Sequence, residues 1–255
     1  MANPDRTTGD GGEWYQVPTS DEVADLVREH MRFIGNRSTG QRAVLSFMDL
    51  RELSFEGVVL AQADLTGAIL RGCDLRRVDL TGASLFFADL RKSNLDQARL
   101  DRTDMRGASL RGARLNEASM VDCDARPARI AAEDASGFGD LEHAAMAEDM
   151  PTVAAGMRAR GAKASWARFG QAQARRADFS EADLRQANFA DADLAGCVMQ
   201  ASWLDGADVS GCDFTGSDLG AARMADVRAT GARFRDADIS GATLDTELEA
   251  SGALS

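Results

Sequence analysis

A five-residue period constrains this chain more than any other feature. From Leu45 to Met120 every fifth residue is large and apolar: Leu45, Leu50, Phe55, Leu60, and on through Leu100, Met105, Leu110, Leu115 and Met120. Two residues before each stands a small one, most often alanine (Ala63, Ala68, Ala83, Ala88), and the residue between is commonly Asp or Asn, as in Ala63-Asp64-Leu65. The pattern weakens at Ala125 and Ile130. It resumes one residue out of phase at Phe169, Phe179, Leu184 and Phe189, and continues to Leu244. An α-helix repeats at 3.6 residues and a strand at 2.0, so neither holds these side chains on one face. Helices with a five-residue stripe would twist it away from any shared partner. A coil with four short sides of five residues does hold them together. About twenty residues then make one turn, stacked on the next at about 4.8 Å, the ordinary spacing of paired strands. The large residue and the small one two before it point inward, and the other positions face out.

The A(D/N)Lxx pattern resembles the pentapeptide-repeat family over about 43–130 and 162–246. The resemblance implies an all-β solenoid, a right-handed quadrilateral parallel β-helix, here in two stacked blocks at 43–130 and 162–246. Cys73, Cys123, Cys197 and Cys212 all fall in the small inward slot, and none has the spacing of a zinc site or a disulfide framework. Glycines 72, 82, 107, 112, 206, 211, 216, 231 and 241 recur at one repeat position and read as corner residues.

A solenoid needs its terminal edges covered. Thr19-Ser20-Asp21-Glu22 is a capping box, followed at helical spacing by Val23, Leu26, Val27, His30 or Met31, and Ile34. A capping helix and its connection are expected over 19–42, with His30 packed rather than serving as a ligand, and a flexible arm over 1–18. Residues 131–161 read as an excursion between the blocks, with a short helix after Phe138 stopped by Pro151. That excursion is either functional or a plain linker. The tail 247–255 either folds over the last coil or leaves it to a second copy, which would make a homodimer.

The function must then lie on the outward positions. Arg51, Arg71, Arg91 and Arg111 form one column at twenty-residue spacing, with Lys92 adjacent. Guanidinium groups about 5 Å apart repel unless anions intervene, and such a stripe suits carboxylate or phosphate. Against this, Arg76, Arg106 and Arg126 show that Arg is common at this repeat position, and Asp49 and Asp89 could neutralise the column locally. Asp178, Asp218 and Asp238, with Asp193, Asp213 and Asp236, make looser acidic columns in which Asp is already part of the repeat. Phe47, Phe86 and Phe87 are expected to project outward in the first block, and Trp166 and Trp203 in the second. Buried Trp and Phe anchors dominate interface energies, although the capping helix or the excursion could equally pack on these rings.

The chain has 255 residues, two histidines (His30 and His143, both outside the repeats) and a formal charge of −12. No Ser-His-Asp or Cys-His set, glycine-rich phosphate loop or paired catalytic carboxylates can be assembled, so no enzyme, cofactor or metal is expected. The acidity argues against direct nucleic-acid binding. No apolar stretch is long enough to span a membrane. The N-terminus shows no apolar segment after a basic start, so a cytoplasmic location is expected. The preference for Arg over Lys fits a GC-rich bacterial genome. A non-catalytic protein-binding scaffold or adaptor is therefore the expected function. The family resemblance implies an alternative: some members look like B-DNA in width and charge, bind DNA gyrase or topoisomerase IV, and protect it from quinolones. This chain departs from them, because residues 43–130 carry 13 acidic and 13 basic groups and sum to zero.

Overall fold

In the computed structural model, residues 15–36, 40–128 and 151–244 are described. The repeats form a four-sided coil. Parallel bridges join each outward residue before a large one to its counterpart one turn on: Asp49 to Ile69 on the first side, Ser54 to Asp74 on the second, Val59 to Asp79 on the third and Asp64 to Ser84 on the fourth. Each side bridges through a single residue. Among the described residues just two pairs are therefore long enough to be strands, β1 (Arg223–Met224) and β2 (Thr243–Leu244), which pair in parallel.

The repeat follows from where its five backbone N–H groups go. The large residue donates to the coil above (Leu65 to Ser84 O, 2.8 Å), as does the residue two later (Gly67 to Phe86 O, 2.8 Å). The residue before the large one donates to the coil below (Asp64 to Ala43 O, 3.0 Å), and the next small residue closes a turn (Ala68 to Leu65 O, 3.0 Å). The fifth, one after the large residue, has no backbone acceptor. The Asp or Asn two places earlier supplies one: Thr66 N–H donates to Asp64 Oδ1 at 3.0 Å, Thr81 to Asp79 at 3.0 Å and Asp96 to Asn94 at 3.1 Å. The Asp/Asn of the consensus is thus a cap.

The interior is apolar and continuous. Leu45, Leu65, Leu85, Leu184 and Leu204 have no solvent exposure, and Ala, Cys, Ser and Thr fill the slots between them. Every corner but one turns through a residue in the left-handed region, glycine at many (Gly72, φ 72°) but also side chains such as Gln62 (φ 64°) and Arg77 (φ 57°). Proline cannot adopt that angle. Pro127 occupies this corner position, and there the coil is interrupted.

The excursion is shorter than its expected bounds of 131–161. Ser109 bridges Val153, Arg114 bridges Arg158, Ser119 bridges Lys163 and Asp124 bridges Arg168, so residues 151–161 already belong to the coil. The register steps by 44 residues instead of 20 at this turn, so 24 residues are inserted into what is otherwise one ladder, and the two blocks join directly. The repeat is disguised here because Ala154, Ala159, Ala164 and Ala174 stand in the large slot and Met157 in the small one, all buried. Phenylalanines restore the volume. Phe169 and Phe189 stack at 5.2 Å between centroids, and Phe179 meets both edge-on at 6.0 and 5.9 Å. The helix expected after Phe138 lies outside the described residues.

The N-terminal cap is α1 (Ser20–Ile34), with both arms of the Thr19–Glu22 capping box formed. Val23 and His30 are buried, and Leu26 and Val27 pack on the core. His30 is a packed histidine: it is 0% exposed, and its Nδ1 accepts the Ala43 N–H at 3.0 Å. Its Nε2 has no hydrogen-bond partner among the described residues, and burial pushes its pKa below the usual histidine value. The expected arm over 1–18 must be trimmed, because Gln16 bridges Met48: its N–H donates to Phe47 O (3.1 Å) and its carbonyl accepts from Asp49 N–H (2.8 Å). This short pairing covers the first side's open edge. Residues 1–14 and the tail from 245 on lie outside the described residues. On the last coil Ile239 and Leu244 stay half-buried.

Candidate functional site

The cysteines are inert packing groups. Cys73, Cys197 and Cys212 donate to the carbonyls of Leu50, Ala174 and Phe189 at 2.9–3.0 Å, and burial pushes each thiol up to about 12. Several ladder carboxylates are held below their ordinary values. Arg76 lowers Asp74, Arg185 lowers Asp183, and the Thr215 side chain and N–H lower Asp213. No cluster of His, Cys, Asp or Glu among the described residues is placed to hold a metal. No helix among them is long and apolar enough to cross a membrane.

The arginine column is not one uniform stripe. Arg51 is clamped by its own repeat's Asp49 (Nε to Oδ1 2.9 Å, Nη2 to Oδ2 2.6 Å), and Arg91 by Asp89 (2.7 and 2.6 Å). The same bidentate clamp recurs at Asp74–Arg76, Asp104–Arg106, Asp124–Arg126 and Asp183–Arg185. Once an Asp caps the backbone N–H, its second oxygen is aimed at the neighbouring guanidinium. Arg71 and Arg111 follow Ile69 and Ser109 instead and have no ion pair among the described residues. Tyr15 lies against this side, its hydroxyl pKa raised by burial and by the fields of Asp89 and Asp49. The Asp columns of the second block are also engaged, Asp193 with Arg175 at 3.2 Å and Asp213 with Arg233 at 3.1 Å.

The aromatic residues divide into two kinds. A Cβ on Gly67 would fall 2.6 Å from the Phe47 ring, and one on Gly107 would fall 2.8 Å from Phe87, so both rings lie over bare glycine corners of the next coil. Phe86 meets Phe87 edge-on at 4.6 Å and carries the Arg106 guanidinium at 5.2 Å. These three phenylalanines are half-buried. Trp166 and Trp203 are 59% and 43% exposed.

Trp203 stands on the third side in the ladder column Lys163, Asp183, Trp203, Arg223. Its indole is held between Arg185 (5.1 Å) and Arg223 (5.4 Å), which are anchored to Asp183 (2.7–2.8 Å) and Asp205 (3.3 Å). Sequence reasoning picked out the tryptophans and missed the two arginines. The signal was there: Arg223 lies twenty residues beyond Trp203, one full turn, and Arg185 is one turn below Asp205. Trp166 sits at the next corner (φ 62°) and walls a shallow groove of about 410 Å³, with Arg168, Gln186, Asn188, Asp208 and Arg228.

Eight copies of the model described as pentapeptide repeats match this chain, over residues 41–82, 59–95, 83–122, 165–200, 175–211 and 207–245. The chain belongs to the pentapeptide-repeat family. No curated protein matches it. Among solved structures, this pentapeptide-repeat protein is similar to HetL, a pentapeptide-repeat protein involved in heterocyst differentiation regulation from the cyanobacterium Nostoc sp. strain PCC 7120 (24% identity, 89% of this chain and 97% of that one, TM-score 0.28). It is also similar to full-length QnrB1, a plasmid-mediated fluoroquinolone resistance protein (16% identity, 78% and 95% of the two chains, TM-score 0.34). The likeness is one of repeat architecture.

Proposed function

We propose that this pentapeptide-repeat protein is a non-catalytic protein-binding scaffold, and that its contact surface is the third side and following corner bearing Trp166 and Trp203. The observation that carries this reading is the Trp203 sandwich. A large indole occupies an outward ladder position where the coil most often uses Asp, Asn or Ser, and two anchored guanidiniums hold it. An aromatic ring fixed before binding loses little freedom on contact, and Trp and Arg are the residues that dominate interface energies. The first-block candidates fit less well, because Phe47, Phe86 and Phe87 are half-buried and the column of Arg51, Arg71, Arg91 and Arg111 is divided by its own aspartates.

The charge layout supports this reading over DNA mimicry directed at gyrase or topoisomerase IV. Mimicry needs an unbroken negative rod, and here most of the ladder aspartates are matched by arginines. A supercoiling assay is expected to show neither inhibition nor drug protection. A second copy would attach at the last coil, where Ile239 and Leu244 are half-buried. Capture from native lysate tests the scaffold reading. A partner held by the wild type should be lost with Trp166→Ala plus Trp203→Ala and kept with Arg71→Glu plus Arg111→Glu. The reverse pattern would move the site to the first side.

A further inference from the structure

We propose that the tryptophan surface takes an acidic protein segment. This rests on the scaffold reading and adds the partner's chemistry. Residues 151–177, more than one full turn of the coil, contain Arg158, Arg160, Lys163, Arg168, Arg175 and Arg176 and no carboxylate, in a chain whose net charge is −12. Arg160, Arg168 and Arg175 reach Glu181, Asp122 and Asp193 in neighbouring coils at 2.6, 3.5 and 3.2 Å. Arg158, Lys163 and Arg176 have no ion pair among the described residues. Lys163 stands in the same ladder column as Trp203 and three residues before Trp166.

Around the two indoles each carboxylate has its own arginine: Asp122 has Arg168, Asp183 has Arg185, Asp205 has Arg223 and Asp208 has Arg228. The surplus at the site is therefore positive, supplied by Lys163 on the third side and by Arg158 on the side before it. Elsewhere the rod is neutral or acidic. An acidic segment meets a half with no net charge in residues 43–130, is repelled by the acidic coils of residues 178–244 and is attracted at this belt, which biases where on a repetitive surface it lands. The indoles supply apolar contact and the surplus cations supply steering.

The test uses the full chain and three fluorescent probes: a short peptide of alternating Glu and Leu, its Lys and Leu counterpart, and a short DNA duplex. The acidic peptide should bind at least about tenfold more tightly than the basic one, and its affinity should fall as salt is raised. Arg158→Glu plus Lys163→Glu should abolish that preference, and Trp166→Ala plus Trp203→Ala should weaken the acidic peptide by about tenfold or more. Equal binding of the two peptides, or tighter binding of the duplex, overturns the proposal. Residues 129–150 carry six carboxylates. An acidic peptide that binds only after those are changed to amides would place the chain's own segment on the belt and also overturn it. If lysate capture depends on the tryptophans but survives Arg158→Glu plus Lys163→Glu, the acidic partner fails and the scaffold reading stands. If capture ignores both pairs, the scaffold surface itself is wrong.

Discussion

The two halves of the coil share one backbone and differ in what they do with their side chains. In residues 40–128 five aspartates clamp their own repeat's arginine, at Asp49, Asp74, Asp89, Asp104 and Asp124. In residues 151–244 that clamp appears once, at Asp183–Arg185. The first half fills its interior mainly with leucine and folds its outward phenylalanines onto glycine corners. The second alternates alanine with stacked phenylalanine inside, and outside it leaves two tryptophans and a belt of cations exposed. A repeat therefore sets the coil without dictating its surface. Under the proposed reading, the half that pairs most of its groups locally serves as architecture, and the half with the exposed tryptophans is where a partner is to be sought.

The largest expected effect breaks this comparison from the inside. Phe179→Ala should destabilise by about 4 kcal/mol or more, because Ala159 and Ala174 cannot fill the space it leaves, against about 3 kcal/mol for Leu95→Ala on the same side of the first half. Denaturant unfolding of the two variants measures the difference. Corner glycines sharpen the account of the first half. Gly57→Ala should cost about 1 kcal/mol for its left-handed angle alone, since nothing lies within 4 Å of its new Cβ. Gly67→Ala should cost about 2 kcal/mol, because the Phe47 ring must also move.

Asp74→Ala should cost about 0.5–1 kcal/mol at neutral pH by removing the cap of the Arg76 N–H and the ion pair, which is partly exposed. The Asp74 carboxyl is held below its ordinary value, so its contribution is present above about pH 4 and fades as pH falls through the lowered pKa. The wild type and the variant should then converge in acid. His30 has the same direction for a different reason. Its folded pKa is lowered, so the unfolded chain takes up the proton first, and stability declines as pH drops below about 6.5 until the folded-state pKa is reached. With the intrinsic pH dependence of exchange divided out, the protection of the α1 amides should fall between pH 7 and 5, and His30→Gln should remove that fall.

The coil, its inward residues, the cysteine slots, the capping box and the packed His30 were all legible, because each follows from a period or a local motif. The end of the insertion was not. Four alanines in the large slot, from Ala154 to Ala174, erase a size-based signal, while the volume they give up reappears in the neighbouring Phe169, Phe179 and Phe189. The start was readable in hindsight, since Pro127 occupies a corner that needs a positive φ. The aspartate-to-arginine clamps and the Trp203 sandwich were invisible for a common reason. They depend on which outward side chains meet within a repeat or across one turn, and a column read by residue type alone does not show whether its members are already paired.

Oxidative footprinting of the protein bound to its captured partner tests the central claim most directly. Protection concentrated at Trp166 and Trp203, with Phe47, Phe86 and Phe87 unchanged from the free protein, is the predicted result. Protection of those phenylalanines with both tryptophans still reactive would contradict it and return the binding surface to the first half.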